Sequence, residues 1–351
     1  MLQDAGLLTW NCQTASAPSD LGGLIDSSKG HTMRGCETRT VGQLLENWLY
    51  ECQRVEVSPT TLRTYKSQVE RNIRPELGEI PVDELTAEHL DNFYGWLKER
   101  GLAPKTIRNH HVTIKQALRQ AVRWELIRSN VAELARPPKT RVRSVDAPSL
   151  EDVEKLLKVS KQINPKMGTL LFLAAYTGMR RGELCALRWS DIDVKARRIN
   201  VRHAVICVPG GLKEKSTKSE RGRRIALGAG AIAALASHSR RVKRSANIGG
   251  VQINPDAFVF SSAIDGSIPV RPDMVTTFFI RVREEAGVSK VRLHDLRHFM
   301  ATQLVGAGVD IRTVAERLGH LHPGFTLQLY THALPAKDRD AADIMDRLLR
   351  R

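Results

Sequence analysis

The chain has 351 residues, enough for two or three domains, and its 42% hydrophobic content supports ordinary globular cores. Its formal net charge of +16 points to a polyanionic partner, of which the DNA phosphate backbone is the simplest candidate and an anionic membrane surface the alternative. No apolar run approaches the roughly 20 residues that span a bilayer. The 5 scattered cysteines fit neither a disulfide framework nor a zinc site, which favours a reducing cytoplasm.

The first 39 residues show little hydrophobic periodicity, and we expect residues 1–39 to form a disordered leader. The apolar run from Gly6 to Trp10 is too short for the core of a signal peptide and lacks a basic segment before it. Met33 is an alternative start, because the patterned part of the chain begins after it.

Residues 40–137 predict a bundle of amphipathic helices. A first helix begins after Thr40, Ser58 and Pro59 supply the cap and first turn of a second, and two more begin near Thr86 and Pro104. The last helix has a basic side that could follow DNA phosphates without reading base sequence. This side consists of Lys105, Arg108, His110, His111 and Lys115.

Residues 138–148 are rich in proline and basic residues, including Arg141 and Arg143, and predict an extended linker that also contacts DNA. After the linker, Ser149 caps the first helix of a second domain. We predict strands over Arg198–Cys207, Arg223–Leu227 and Phe258–Phe260, and helices over Ala229–Arg244 and Met274–Ala286. The predicted fold is therefore a mainly α bundle followed by an α+β domain over residues 149–334, mostly helical with a small antiparallel sheet.

A turn at Gly178 presents the first candidate site residue. The apolar run from Leu170 to Ala175 ends at Gly178, and a new helix from Arg180 to Leu187 places Arg180 at the turn. Glu183 lies on the same helical face, where its carboxylate can hold the guanidinium by a charge-assisted hydrogen bond. An ordinary helix salt bridge predicts the same geometry.

A basic segment connects two of the predicted strands. Its cations are Lys213, Lys215, Lys218, Arg221, Arg223 and Arg224. A run of cations is usually a solvated surface, and here we expect it to face DNA, with Arg223 among the contacts.

The stretch from Val291 to His332 carries the remaining chemistry. His294 stands near the start of an amphipathic helix, and Arg297 follows it by one turn, so an imidazole and a guanidinium share one face. A helix over Ile311–Leu318 ends at Gly319, which places His320 at a helix end. Tyr330 follows ten residues later, and tyrosine can serve as a covalent nucleophile.

In this order, Arg180, His294, Arg297, His320 and Tyr330 resemble the signature of the tyrosine recombinases, the phage-integrase family of site-specific DNA recombinases. Arg181 is the second choice for the first arginine. The resemblance covers about residues 40–334. It implies that residues 40–137 are a helical core-DNA-binding domain and that residues 149–334 are the catalytic domain, the two forming a C-shaped clamp on DNA. It also implies a catalytic lysine on a β-hairpin, for which Lys218 is the first choice and Lys213 and Lys215 are neighbours.

The resemblance implies a role for each residue. Tyr330 attacks phosphorus and forms a 3′-phosphotyrosyl bond, Lys218 protonates the leaving 5′ oxygen, and His294 accepts the tyrosine proton. Arg180, oriented by Glu183, grips the phosphate together with Arg297 and His320. Neither a metal nor a cofactor is required, because the arginines replace a metal clamp and the phosphotyrosyl bond keeps the energy of the cleaved linkage.

The partners expected from the resemblance are double-stranded DNA with a specific core site and further copies of the chain, as a tetramer on two DNAs. Accessory DNA-bending or directionality proteins are further expected partners. The expected role is integration or excision of a mobile element in the cytoplasm of a prokaryote. Two alternatives remain at this point: a type IB topoisomerase, which uses a similar site without exchanging partners, and a DNA-binding regulator without chemistry.

The tail, residues 335–351, predicts one more amphipathic helix after Pro335. Ala342, Met345 and Leu349 share its apolar face. This face requires a partner, which is either the catalytic domain of the same chain or, as the family implies, a neighbouring protomer.

Overall fold

A computed structural model describes residues 39–140, 147–216, 222–288, 290–320, 324, 326–327 and 338–349 of the protein. Four predicted site residues, Arg141, Arg143, Lys218 and Tyr330, lie outside the described residues, as does the predicted leader up to residue 38.

The N-terminal part is a helical bundle, as predicted. Thr40, Ser58 and Thr86 each cap a helix by accepting a hydrogen bond from the backbone N–H three residues on. One buried core unites the helices and extends from Val41 to Ala135. The elements are α1 (Val41–Arg54), α2 (Pro59–Gln68), a π-helical turn (Val69–Ile73), α3 (Arg74–Leu77), α4 (Ala87–Glu99) and α5 (Pro104–Arg123).

The π-helical turn explains how α2 and α3 form one continuous rod despite Pro75. Proline has no N–H to donate and its ring clashes with the carbonyl four residues before it. The wider turn over Val69–Ile73, with the Arg74 N–H bonded to the Val69 carbonyl, takes up this mismatch just before the proline. Val69 and Ile73 remain fully buried in the bundle core.

The second part is mostly helical and has its own core, which extends from Val153 to Leu296. Its helices are α6 (Leu150–Ile163), α7 (Pro165–Thr177), α8 (Arg181–Ala186), α9 (Ala229–Ile248), α10 (Pro272–Glu285), α11 (Asp295–Gly306), α12 (Ile311–Leu318) and α13 (Asp338–Leu349). Three of these differ slightly from the prediction: α8 is one residue shorter at each end, α9 is about one turn longer and α10 begins two residues earlier. No helix in the described ranges is long and apolar enough to cross a membrane.

The strands form two small antiparallel sheets, which confirms the α+β class. One sheet has the order β1 (Ile192–Asp193), β2 (Arg198–Val201), β5 (Arg223–Ala226), and the other is the hairpin of β3 (His203–Val208) and β4 (Gly211–Ser216). The predicted continuous strand over Arg198–Cys207 is wrong, because the chain changes sheets at Arg202. The Arg202 Nε donates to the buried Asp191 Oδ1 at 2.8 Å and holds this junction.

The predicted strand Phe258–Phe260 is also wrong. Phe258 forms only an isolated bridge with Arg188, and Val259 and Phe260 are buried in the domain core. Their hydrophobicity therefore reflects burial between helices rather than a sheet.

Candidate active site

The turn after α7 fixes the position of Arg180. Gly178 ends α7 in the left-handed conformation, with φ of 65°. A Cβ at this residue would collide with the side chain of Met300 on α11. Arg180 is the residue before α8, and its backbone N–H donates to Glu183 Oε2 at 2.7 Å while its Nη1 donates to Oε1 at 3.0 Å. The Arg180 side chain is 47% exposed, so its guanidinium can still bind a ligand.

Glu183 holds a second arginine that the sequence did not connect with it. Arg223 on β5 donates from Nη1 to Oε1 at 2.9 Å and from Nη2 to Oε2 at 2.6 Å. Burial alone raises the pKa of the Glu183 carboxyl, but the hydrogen bonds and charges of Arg223 and Arg180 outweigh burial and lower it. Glu183 is therefore an ionised carboxylate shared by two guanidinium groups.

Arg297 lies buried beneath the turn and joins two helix ends. Its Nη1 donates to the carbonyl of Gly178 and its Nη2 to the carbonyl of Leu318, each at 2.6 Å. These carbonyls belong to the ends of α7 and α12, where backbone acceptors have no partner inside the helix. Arg297 is only 4% exposed, so its guanidinium position is fixed by packing as well as by hydrogen bonds.

His294 immediately precedes α11, one turn before Arg297, as predicted. Burial and the charge of Arg297 lower the pKa of its imidazole. A neutral imidazole keeps one nitrogen lone pair, so His294 can accept a proton at neutral pH.

His298 was not predicted as a site residue, although it stands four residues after His294 on the same helical face. The two rings meet edge to face with centroids 5.0 Å apart. Burial and the neighbouring His294 lower the pKa of His298 to about 4. The i, i+4 spacing in the sequence was the available signal.

His320 completes the cluster from the end of α12. Gly319 ends α12 in the left-handed conformation, with φ of 68°, and His320 is the next residue. The His320 Nδ1 lies 2.6 Å from Thr326 Oγ1. Burial and the charges of Arg297, Arg180 and Arg223 lower its pKa to about 4. The Arg180 Nη2 also reaches the Gly319 carbonyl at 3.4 Å, which ties the two ends of the site together.

The structure thus brings five of the predicted residues, Arg180, Glu183, His294, Arg297 and His320, to one place and adds Arg223 and His298. Three fixed cations and three neutral imidazoles form a site suited to an anion that gains charge during reaction. Arg223, which we expected on DNA, has its guanidinium engaged by Glu183 and by the Arg317 carbonyl, the latter at 2.9 Å from Nε.

The expected basic side of α5 is smaller than predicted. Lys105 and Arg108 are exposed, whereas Lys115 is half-buried and forms a salt bridge with Glu133 at 3.4 Å. The two histidines face the bundle instead of solvent.

His110 is 2% exposed, and its Nε2 lies 3.0 Å from Asn72 Nδ2. His111 Nδ1 lies 2.8 Å from the Tyr94 hydroxyl. Burial lowers the pKa of both imidazoles, so neither adds positive charge to this surface.

Comparison with known proteins gives two family matches. The Phage integrase family matches residues 149–337, more than half of the chain, and its N-terminal SAM-like domain matches residues 40–98. A tyrosine recombinase XerC-like protein of Caldanaerobacter subterraneus subsp. tengcongensis is 26% identical over 330 residues, covering 88% of this chain and 83% of that protein.

The fold is similar to those of two solved integrases. The Tn1549 transposon integrase, in complex with a circular intermediate DNA, superposes with a TM-score of 0.73 at 23% identity, covering 88% of this chain and 99% of the other. A lambda integrase tetramer bound to a Holliday junction has a TM-score of 0.63 at 20% identity, with 86% and 80% covered. These likenesses extend over both helical parts of the chain.

Proposed function

The chain belongs to the phage integrase family of tyrosine recombinases, and we propose that it cuts and rejoins DNA at a specific core site through a bond between a 3′ phosphate and Tyr330. The single observation that carries this assignment is the convergence of Arg180, Arg297 and His320, from three separate helix ends, on one site for an anion. Non-catalytic regulators need positive charge but not this convergence. The role is the integration or excision of a mobile element.

Arg180 and Arg297 together bind the scissile phosphate. Arg180 is half exposed and can offer its free N–H groups to a non-bridging oxygen. Arg297 donates from Nη1 and Nη2 to two carbonyls, which holds its guanidinium at the junction of the α7 and α12 ends, and we place the phosphate against this group. Because both groups are fixed before DNA arrives, they stabilise the charge that develops in the transition state without reorganisation.

The histidines act as neutral groups. His294 accepts the proton of Tyr330 as the phenol oxygen attacks phosphorus, which its lowered pKa permits at neutral pH. His320 donates a hydrogen bond to the phosphate, while its Nδ1 is oriented by Thr326. His298 packs edge to face against His294 and positions that ring.

Lys218 supplies the proton to the leaving 5′ oxygen. It follows β4 and precedes β5, and β5 carries Arg223 into the Glu183 pair. Arg223, five positions after Lys218 in the sequence, lies at the site, and this short separation supports Lys218 as the proton donor. Lys213 and Lys215 on β4 are the alternatives.

DNA binding and catalysis belong to different domains of the chain. Residues 40–137 are the helical core-binding domain, with Lys105 and Arg108 on phosphates. Residues 138–148 are the basic linker, with Arg141 and Arg143 on DNA, and residues 149–334 are the catalytic domain. Free Cys52, Cys185 and Cys207 agree with a reducing cytoplasm as the location.

Strand exchange requires further copies of the chain, and the tail helix α13 is the segment that joins them. Met345, Leu348 and Leu349 are 51%, 67% and 74% exposed. An apolar groove of about 820 Å³ lies between α6, α7 and α11, where Leu157, Phe172 and Phe299 line it. We place the tail of a second copy in this groove, so that assembly as a tetramer on two DNAs couples neighbouring sites.

The test is Tyr330→Phe, which removes only the hydroxyl oxygen. DNA binding should remain, because the arginine clamp is intact, and the covalent protein–DNA complex should disappear. Mapping the junction on DNA trapped by the unaltered protein should show a 3′-phosphotyrosyl end. A covalent complex formed by Tyr330→Phe contradicts the assignment of the nucleophile, and relaxation of plasmid without recombination favours the topoisomerase alternative.

A further inference from the structure

A second cavity, smaller than the apolar groove, lies at the opposite end of α7 from the candidate active site. This α7–α9 pocket has a volume of about 410 Å³ and is lined by Asn164, Lys166, His238, Arg241, Ser262 and Ile264 with their neighbours. Since α7 has 13 residues that rise by about 1.5 Å each, the pocket lies roughly 20 Å from the Gly178 turn.

Two cations border the pocket without a carboxylate partner. Lys166 Nζ donates to the Ser261 carbonyl at 2.8 Å, and the Arg241 guanidinium donates to hydroxyls, at 2.9 Å to Ser237 and 3.0 Å to Thr169. Among the residues that the structure describes, neither cation forms a salt bridge and no Asp or Glu lines the pocket. Burial lowers the pKa of Lys166, the mark of a cation that lacks compensation.

Two buried nitrogen atoms at the pocket have no hydrogen-bond partner in the described part of the chain. Arg241 Nε is one of them. The other is Nδ1 of His238, a residue only 1% exposed whose Nε2 lies 2.7 Å from the Val259 carbonyl. A carbonyl only accepts, so Nε2 carries the hydrogen and Nδ1 presents a lone pair. Burial lowers the pKa of His238 and keeps the ring neutral.

The pocket therefore fits a ligand with one strongly anionic group. The N–H groups of Lys166 and Met167 at the start of α7 are already bonded to Asn164 Oδ1, so the side-chain cations must hold the anion. A charge of about −1.5 to −2, that of a phosphate monoester at neutral pH, matches Lys166 and Arg241 together. The volume falls in the range of roughly 300–1,000 Å³ that is typical of small-molecule sites.

We propose that the α7–α9 pocket binds a small organic phosphate, with the phosphate on Lys166 and Arg241. Phe258 and Ile264 on the opposite loop form the apolar wall for its carbon skeleton. This site is separate from the DNA-cleaving residues and does not depend on their assignment.

Isothermal titration calorimetry of the full chain with ribose 5-phosphate at constant ionic strength tests the proposal, with ribose as the uncharged control. Lys166→Gln and Arg241→Gln each remove one charge-assisted contact and should weaken binding on the order of 10-fold or more. Arg240→Gln, at the exposed position beside Arg241, is the matched control and should bind as the unaltered protein does. Arg180→Gln removes the phosphate clamp of the candidate active site and should also leave this binding unchanged.

Three results overturn the proposal. The first is the absence of ribose 5-phosphate binding to the unaltered protein, which means that the pocket holds only water. The second is equal binding of ribose. The third is binding lost in Arg180→Gln but kept in both Lys166→Gln and Arg241→Gln, because the phosphate then occupies the candidate active site. Having two pocket variants keeps the test decisive if one of them does not fold.

Discussion

Glu183 and Arg223 form a bidentate pair, with Oε1 to Nη1 at 2.9 Å and Oε2 to Nη2 at 2.6 Å, and both side chains are largely buried. The same carboxylate also holds Arg180, so one anion positions two cations of the site. Arg223 thereby joins β5 to α8, which are separated by 40 positions along the chain. The stability of the domain and the geometry of its site therefore depend on one buried ion pair.

We expect Arg223→Gln to lower the free energy of unfolding by roughly 3 kcal/mol, because it leaves the buried Glu183 charge without its main partner. The matched control, Arg224→Gln at the next, exposed position, should change it by less than about 0.5 kcal/mol. Chemical denaturation measures both. Adding Glu183→Gln to Arg223→Gln should recover part of the stability but not DNA cleavage, because Arg180 then loses its anchor; recovery of cleavage contradicts this positioning role.

Replacing Arg180 or Arg297 by lysine should distinguish an arginine that acts only in cleavage from one that also stabilises the fold. Arg180→Lys should reduce cleavage by about 100-fold at an unchanged melting temperature, since the exposed guanidinium contributes little to packing. Arg297→Lys should reduce both the cleavage rate and the melting temperature, because an ammonium group cannot bridge the Gly178 and Leu318 carbonyls. Single-turnover cleavage and thermal unfolding report the two effects. Equal melting temperatures for the two variants would show that Arg297 does not join the helix ends.

Gly178 offers a test of the turn itself. Gly178→Ala should destabilise the protein by more than Gly250→Ala, although the two glycines have similar φ of 65° and 62°. Placing alanine at positive φ costs about 1 kcal/mol at either site, but only at Gly178 does the new Cβ meet Met300. Cleavage should fall in Gly178→Ala alone, because its carbonyl holds Arg297. Equal losses of stability in thermal unfolding would contradict the clash.

The histidine cluster predicts an acid-sensitive fold. The pKa of His298 is about 4 in the folded protein against an ordinary value of 6.5. Between these pH values the unfolded chain binds a proton that the folded chain does not, so stability is full above pH 6.5 and is lost as the pH falls towards 4. The drop in melting temperature from pH 7 to pH 5 should be smaller in His298→Gln than in the unaltered protein. His203→Gln, at the start of β3, should retain the full drop, and an undiminished drop in His298→Gln would refute the prediction.

The tail helix predicts complementation between two defective copies. Removal of residues 338–351 should leave the melting temperature and single-site DNA binding unchanged but abolish higher complexes and strand exchange. Gln303→Trp, which fills the apolar groove, should have the same effect. A mixture of the two proteins should form a dimer on DNA, because one supplies a tail and the other an open groove. If truncation instead lowers the melting temperature of the monomer, the tail belongs to the core of its own chain.

The helices, and the helix ends on which the site is built, could be predicted from the sequence because they depend on interactions between residues a few positions apart. Thr40, Ser58 and Thr86 mark helix starts because their side chains bond the backbone three residues on, and Gly178 and Gly319 mark helix ends because the left-handed conformation favours glycine. These interactions span a few residues. The positions of Arg180, His294 and His320 at helix ends followed from them.

Only the tertiary structure decided which distant groups share an environment. It paired Arg223 with Glu183, buried His110 in the bundle and left His111 half-buried beside Tyr94. It also split the predicted strand at Arg202, because β2 pairs with β5 while β3 pairs with β4. A charge, an imidazole or a strand edge is satisfied by whatever segment packs against it. That partner can lie 40 or more positions away, where periodicity and capping carry no information.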